Sequence, residues 1–67
     1  MIAVRVNGEP VELADGSNLA ELVESHLSQT KGVAVAVNEE VVPGSAWAAT
    51  CLTESDRVEI LTARQGG

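Results

Sequence analysis

The residues best placed to do chemistry stand at the end of the chain. Gly66 and Gly67 form a bare diglycine that finishes in a free α-carboxylate. Neither carries a side chain, so this stretch can lie in a tunnel too narrow for any other dipeptide. The carboxylate has no basic neighbour closer than Arg64, and a free terminus moves unless something binds it. At average glycine usage of about 7%, two terminal glycines arise by chance in roughly one chain in 200. The rest of the chain must therefore show whether this end is presented or merely frayed. Three other residues carry chemical possibilities. Cys51 is the single cysteine, which excludes an intrachain disulfide or a cysteine metal cluster. With no basic neighbour in sequence to activate it, it reads as a small buried packing residue. His26 lies at the margin of an apolar helix stripe with no second ligand or nucleophile, and reads as a partly covered surface residue. Trp47, the sole aromatic, reads as the anchor of a long connection.

Composition narrows the classes of function. Sixty-seven residues make one domain, and a chain this short buries only about 60% of its unfolded surface, which leaves little room for a substrate pocket. An independent enzyme is not expected. Ten acidic against four basic residues give a net charge of -6, with no Lys/Arg cluster, so nucleic acid and anionic membranes are excluded as partners. Basic grooves on proteins suit it better, because complementary charge speeds encounter. No segment approaches the ~20 apolar residues of a membrane span, and no cationic stretch precedes an apolar run, so a cytoplasmic protein is expected.

The elements follow from periodicity. Ile2, Val4 and Val6 alternate with Ala3 and Arg5 as a strand with one buried face. Asn7-Gly8 favours a two-residue turn with positive φ, so Glu9 to Leu13 returns as a partner strand with Val11 and Leu13 inward. Pro10 cannot donate to a ladder, which sends this strand to a sheet edge. After a turn at Asp15-Gly16, Asn18 and Glu21 have capping-box spacing, and a helix runs to about Ser28. Leu19, Leu22, Val23 and Leu27 form its apolar stripe, with Glu21, Glu24, Ser25 and Ser28 on the wet side. Lys31-Gly32 ends it.

Val33 to Val37 alternates large with small residues, and a bend at Asn38-Glu39 leads into Glu40-Val41-Val42, which stops at Pro43 and is again an edge. Gly44 to Cys51 is irregular or a short helical turn. Arg57 to Ala63 is a last strand, with Val58 and Ile60 inward and Glu59 and Leu61 outward. Each hairpin's second strand carries or abuts a proline and lies outermost, so only the last strand can fill the gap between the first and third. The order becomes 2-1-5-3-4 with one helix across it, an α+β β-grasp fold. Residues 1–63 are the domain, and residues 64–67 are a flexible tail that reaches roughly 13 Å from a central strand.

The stretch Val37-Asn38-Glu39-Glu40-Val41-Val42-Pro43, then Ser45, Trp47-Ala48, Leu52, Asp56, Val58-Glu59-Ile60-Leu61 and the terminal Gly66-Gly67 resembles the ThiS family of ubiquitin-like sulfur carriers in thiamine biosynthesis. The likeness spans essentially the whole chain. Gly44 stands where the family usually has arginine, and Ser55 where a turn glycine is usual. The resemblance implies that an adenylyltransferase resembling ubiquitin-activating enzymes uses Mg-ATP to convert the Gly67 carboxyl to an acyl-adenylate. A carboxylate needs this, since its own leaving group would be oxide. A persulfide from a cysteine desulfurase then displaces AMP, and thiazole synthase draws sulfur from the resulting thiocarboxylate. The chain would be a protein co-substrate that binds no cofactor itself, with Gly66, Gln65 and Arg64 threading behind Gly67. Arg64 either pairs with an acidic channel wall or is solvated.

Docking is expected on the sheet face opposite the helix, where Leu61 and Glu59 lie beside Ala3 and Arg5 on one strand and Ala34 and Ala36 on another. Glu39-Glu40 and the acidic helix read as a solvated face, with long-range steering as the alternative. Related carriers for molybdopterin or cysteine synthesis, and a ubiquitin-like protein modifier joined through Gly67, stay open as rival functions.

Overall fold

In a computed structural model of the chain, residues 1–27 and 32–62 are described. The expectations placed on Ser28, Lys31, Ala63, Arg64, Gln65, Gly66 and Gly67 lie outside the described residues. Strands β1 (Ile2–Val6) and β2 (Glu9–Leu13) form the first hairpin. Helix α1 (Leu19–His26) follows, then β3 (Val33–Val37), β4 (Glu40–Val42), a 3-10 helix over Gly44–Ala49, and β5 (Arg57–Thr62). The sheet order is β2-β1-β5-β3-β4. β5 runs parallel to β1 and antiparallel to β3. This is the expected β-grasp.

Both hairpins are two-residue turns with positive φ. Asn7 and Gly8 adopt 52° and 87°, and Asn38 and Glu39 adopt 51° and 72°, the geometry that matches the right-handed twist of the flanking strands. The two asparagines also bind β5. Asn7 Oδ1 accepts from the Ile60 N–H at 2.8 Å, and Asn7 Nδ2 donates to the Ile60 carbonyl at 3.2 Å. The side-chain amide thereby stands in for the next residue of β1, which has turned away. Asn38 Oδ1 accepts from the Arg57 N–H at 3.0 Å, and its Nδ2 donates to Asp56 Oδ1 at 3.0 Å. β5 is clamped from both sides.

The helix begins where its capping box places it: Asn18 accepts from the Glu21 N–H, and the Glu21 carboxylate accepts from the Asn18 N–H. Leu19, Leu22 and Val23 are buried, and Leu27 packs against the same core. The helix ends at His26, with Leu27 extended, which is short of the expected Ser28. Ser25 Oγ donates to the Leu22 carbonyl at 2.8 Å, and such local side-chain bonds compete with continuation of the helix.

Val4, Val6, Val35 and Val58 meet the helix from the sheet, and Trp47 and Leu52 close the core from the long connection. Trp47 is the anchor expected of it. It is buried, and its Nε1–H donates to the Val42 carbonyl at 2.8 Å. Cys51 corrects an expectation, for it is exposed rather than buried. The connection here runs extended against the start of the helix, with Leu19 N–H bonded to the Thr50 carbonyl and Leu52 N–H to the Ser17 carbonyl. Extended backbone alternates its side chains. Leu52 takes the inward position, so Cys51 faces out.

Candidate functional site

The end of β5 and the open sheet face beside it form the candidate site. β5 is held to β3 along its length, down to the Val33–Thr62 pair. On the other flank, β1 pairs only with Arg57 and Val58, and the Asn7 side chain extends the attachment to Ile60. The last described residues thus stand on a strand held to β3 by backbone along its length and to β1 by two backbone pairs and an amide side chain.

On the open face the cross-strand register sorts the expected docking residues into two groups. Leu61 lies opposite Ala34, and Glu59 opposite Ala36. These four line a shallow cleft of about 60 Å³. Leu61 is 69% exposed, and the alanines beside it keep the floor low. Val41 completes this cleft and is 78% exposed. It escapes the sequence reading, although the signal was present. A two-residue turn at Asn38-Glu39 puts Val41 opposite Ala36, and thereby on the outward face. Ala3 and Arg5 belong to a separate concavity of about 310 Å³, which Arg57 and Glu54 also line. The expected docking residues are divided by β5 between these two depressions.

Asp56 shows how the turn before β5 is stabilised. Partial burial pushes its carboxyl up, but the Thr53 amide, the Asn38 side chain and the Thr53 hydroxyl favour the charged form and hold it below its ordinary value of 3.8. Ser55, in the same turn, adopts φ 71°, a left-handed conformation that explains why glycine suits this place. At Gly44, an added Cβ would meet the Trp47 ring at 3.9 Å, an ordinary contact, so local packing does not demand glycine there. Among the described residues no cluster of three or more potential metal ligands occurs, and no helix is long and apolar enough to cross a membrane.

The model of the ThiS family matches residues 4–67, which takes in β1 from Val4 onward, the other four strands and the terminal diglycine. The chain belongs to the ThiS family. A relative named sulfur carrier protein ThiS, from Thermus thermophilus, is 41% identical over 64 residues, covering 96% of this chain and 98% of its own. The Escherichia coli protein of the same name is 28% identical over 61 residues, 91% of this chain and 92% of its own. The crystal structure of a thiamine biosynthesis protein (ThiS) from Geobacter metallireducens superposes with a TM-score of 0.82 at 33% identity, covering 98% of this chain and all of that one. The ThiS resemblance and the strand order inferred from the sequence are thus both upheld.

Proposed function

We propose that this ThiS-family chain carries sulfur for thiamine biosynthesis as a thiocarboxylate on Gly67. The observation that carries the reading is the family match running unbroken to residue 67, supported by full-length relatives named as sulfur carriers. In the first step the Gly67 carboxylate attacks the α-phosphorus of Mg-ATP in an adenylating partner, expelling pyrophosphate and leaving an acyl-adenylate. AMP is a leaving group that oxide is not. The terminal sulfur of a persulfide, supplied by a cysteine desulfurase, then attacks the acyl carbon and expels AMP. A thiol cleaves the resulting acyl disulfide, taking the other sulfur as a disulfide and freeing the thiocarboxylate for thiazole synthase. Arg64, Gln65 and Gly66 lead Gly67 into the partner's channel, whose narrowest part takes the side-chain-free Gly66-Gly67. Leu61, Ala34, Ala36, Val41 and Glu59 form the surface on which the adenylating partner docks.

The chain itself is the co-substrate of this scheme, and ATP and magnesium belong to the partner. Intact-mass measurement tests it. Incubation with ATP, the adenylating enzyme and a persulfide source must raise the mass by the difference between one sulfur and one oxygen, located at residue 67. No gain, or attachment to another protein's lysine, overturns the proposal.

A further inference from the structure

The chain has four basic residues in all, and two of them, Arg5 and Arg57, are register partners on the adjacent parallel strands β1 and β5. Both line the 310 Å³ concavity on the open face. Like charges set opposite each other across a sheet destabilise it, so in a chain of net charge -6 their adjacency needs a reason. Arg57 has a partial answer in Glu39, whose carboxylate lies 3.2 Å from its Nη2. Arg5 reaches only the Gly8 carbonyl, at 3.3 Å, and forms no ion pair among the described residues. Glu54, on the rim, is engaged as the acceptor of the Ala3 N–H at 3.0 Å. Ala3 leaves the floor open. The result is a shallow depression with two guanidinium groups at its side, the donor geometry that receives a carboxylate by paired N–H bonds.

We infer that Arg5 and Arg57 receive an acidic side chain, aspartate or glutamate, from the protein that docks on this face. The inference rests on the carrier reading above and adds a specificity element to it. Leu61 follows Arg57 by four residues on the same strand, about 13 Å at ~3.3 Å per residue. The partner therefore presents an apolar group to the Leu61 cleft and a carboxylate about that distance away. Such an arrangement fixes the docking register along β5, and with it the direction in which the tail enters the partner. A flat apolar cleft alone sets no register.

The test measures binding of the purified adenylating enzyme to the wild-type chain, to R5A/R57A and to L61D by calorimetry, with a thermal melt on each. The two electrostatic explanations predict opposite signs. If the partner is attracted only by net negative charge, removing two arginines strengthens binding. If they hold a carboxylate, binding weakens about tenfold or more, and the loss shrinks near ~0.5 M salt. L61D weakens binding without that salt dependence. Arg5→Gln alone, which spares the Glu39 pair, gives a smaller loss of the same kind and serves should the double variant fold poorly. Unchanged or tighter binding of R5A/R57A, or a loss that persists undiminished at high salt, overturns the arginine assignment and leaves the carrier reading standing. Failure of the wild-type chain to bind at all overturns both.

Discussion

Replacing Asn7 with glycine isolates the contribution of one side-chain amide to the central strand β5. The turn survives, because glycine accepts φ near 52° without cost. What is lost is the pair of bonds to the Ile60 N–H and carbonyl, at 2.8 and 3.2 Å. Each such bond contributes about 1 kcal/mol net, and more where the abandoned backbone group is shielded from water. Ile60 is 8% exposed, so water rescues the orphaned groups poorly. The substitution should cost about 2 kcal/mol. The glycine's added unfolded-state entropy, about 0.5 kcal/mol, is offset by relief of the left-handed side-chain conformation. A domain of this size has roughly 3–10 kcal/mol of stability in total, and the melting midpoint should fall by about 10 °C. Circular dichroism melts measure that fall, and amide hydrogen exchange at Ile60 locates it. Asn7→Asp keeps an acceptor for the Ile60 N–H but sets a second carboxylate oxygen against the Ile60 carbonyl, so it too should melt below wild type. A glycine variant that melts within about 2 °C of wild type, with Ile60 exchange unaltered, would refute the idea that this amide completes the ladder.

Two further outcomes follow from the turn between residues 53 and 57. Ser55→Gly should raise stability by about 0.5–1 kcal/mol, since Ser55 sits at φ 71° and its backbone N–H bond to the Ala3 carbonyl is kept; a lower melting midpoint would contradict this. Asp56 has its folded value held below 3.8 by the amide and hydroxyl bonds that outweigh burial. Its contribution is therefore complete above 3.8 and is lost as pH falls through the depressed folded value. Asp56→Asn should be less stable than wild type at neutral pH, with the gap closing under acid, and a gap that stays constant in urea titrations down to pH ~2.5 would count against the assignment.

Pro10 and Pro43 are what make the strand order legible from sequence. Each bars its neighbourhood from a central ladder, and the asparagine-led turns pair the strands locally, so that only one arrangement of five strands remains. The helix start was equally plain, because a capping box lies within four consecutive residues. What sequence does not display is how distant segments meet. Cys51 faces outward because Leu52 beside it is drawn into the core while the connection bonds to Ser17 and Leu19, partners more than 30 positions earlier. The amides of Asn7 and Asn38 read locally as turn formers, and their second use, on a strand 53 and 19 residues away, depends on the assembled sheet. At the candidate site Leu61, Glu59, Ala34 and Ala36 were legible as one surface from alternation together with the strand order. The separation of Ala3 and Arg5 into a second depression, and the entry of Val41 into the first, required the register.

The place of β5 between the two hairpins has a consequence for synthesis. Neither hairpin forms a ladder with the other, so each emerging from the ribosome holds half a sheet with an unpaired inner edge. The strand that joins them is the last of the described strands to be translated. The sheet of the nascent chain is therefore completed only once β5 has been made. Quality control that removes unfolded chains would also remove those whose final strand is cut short.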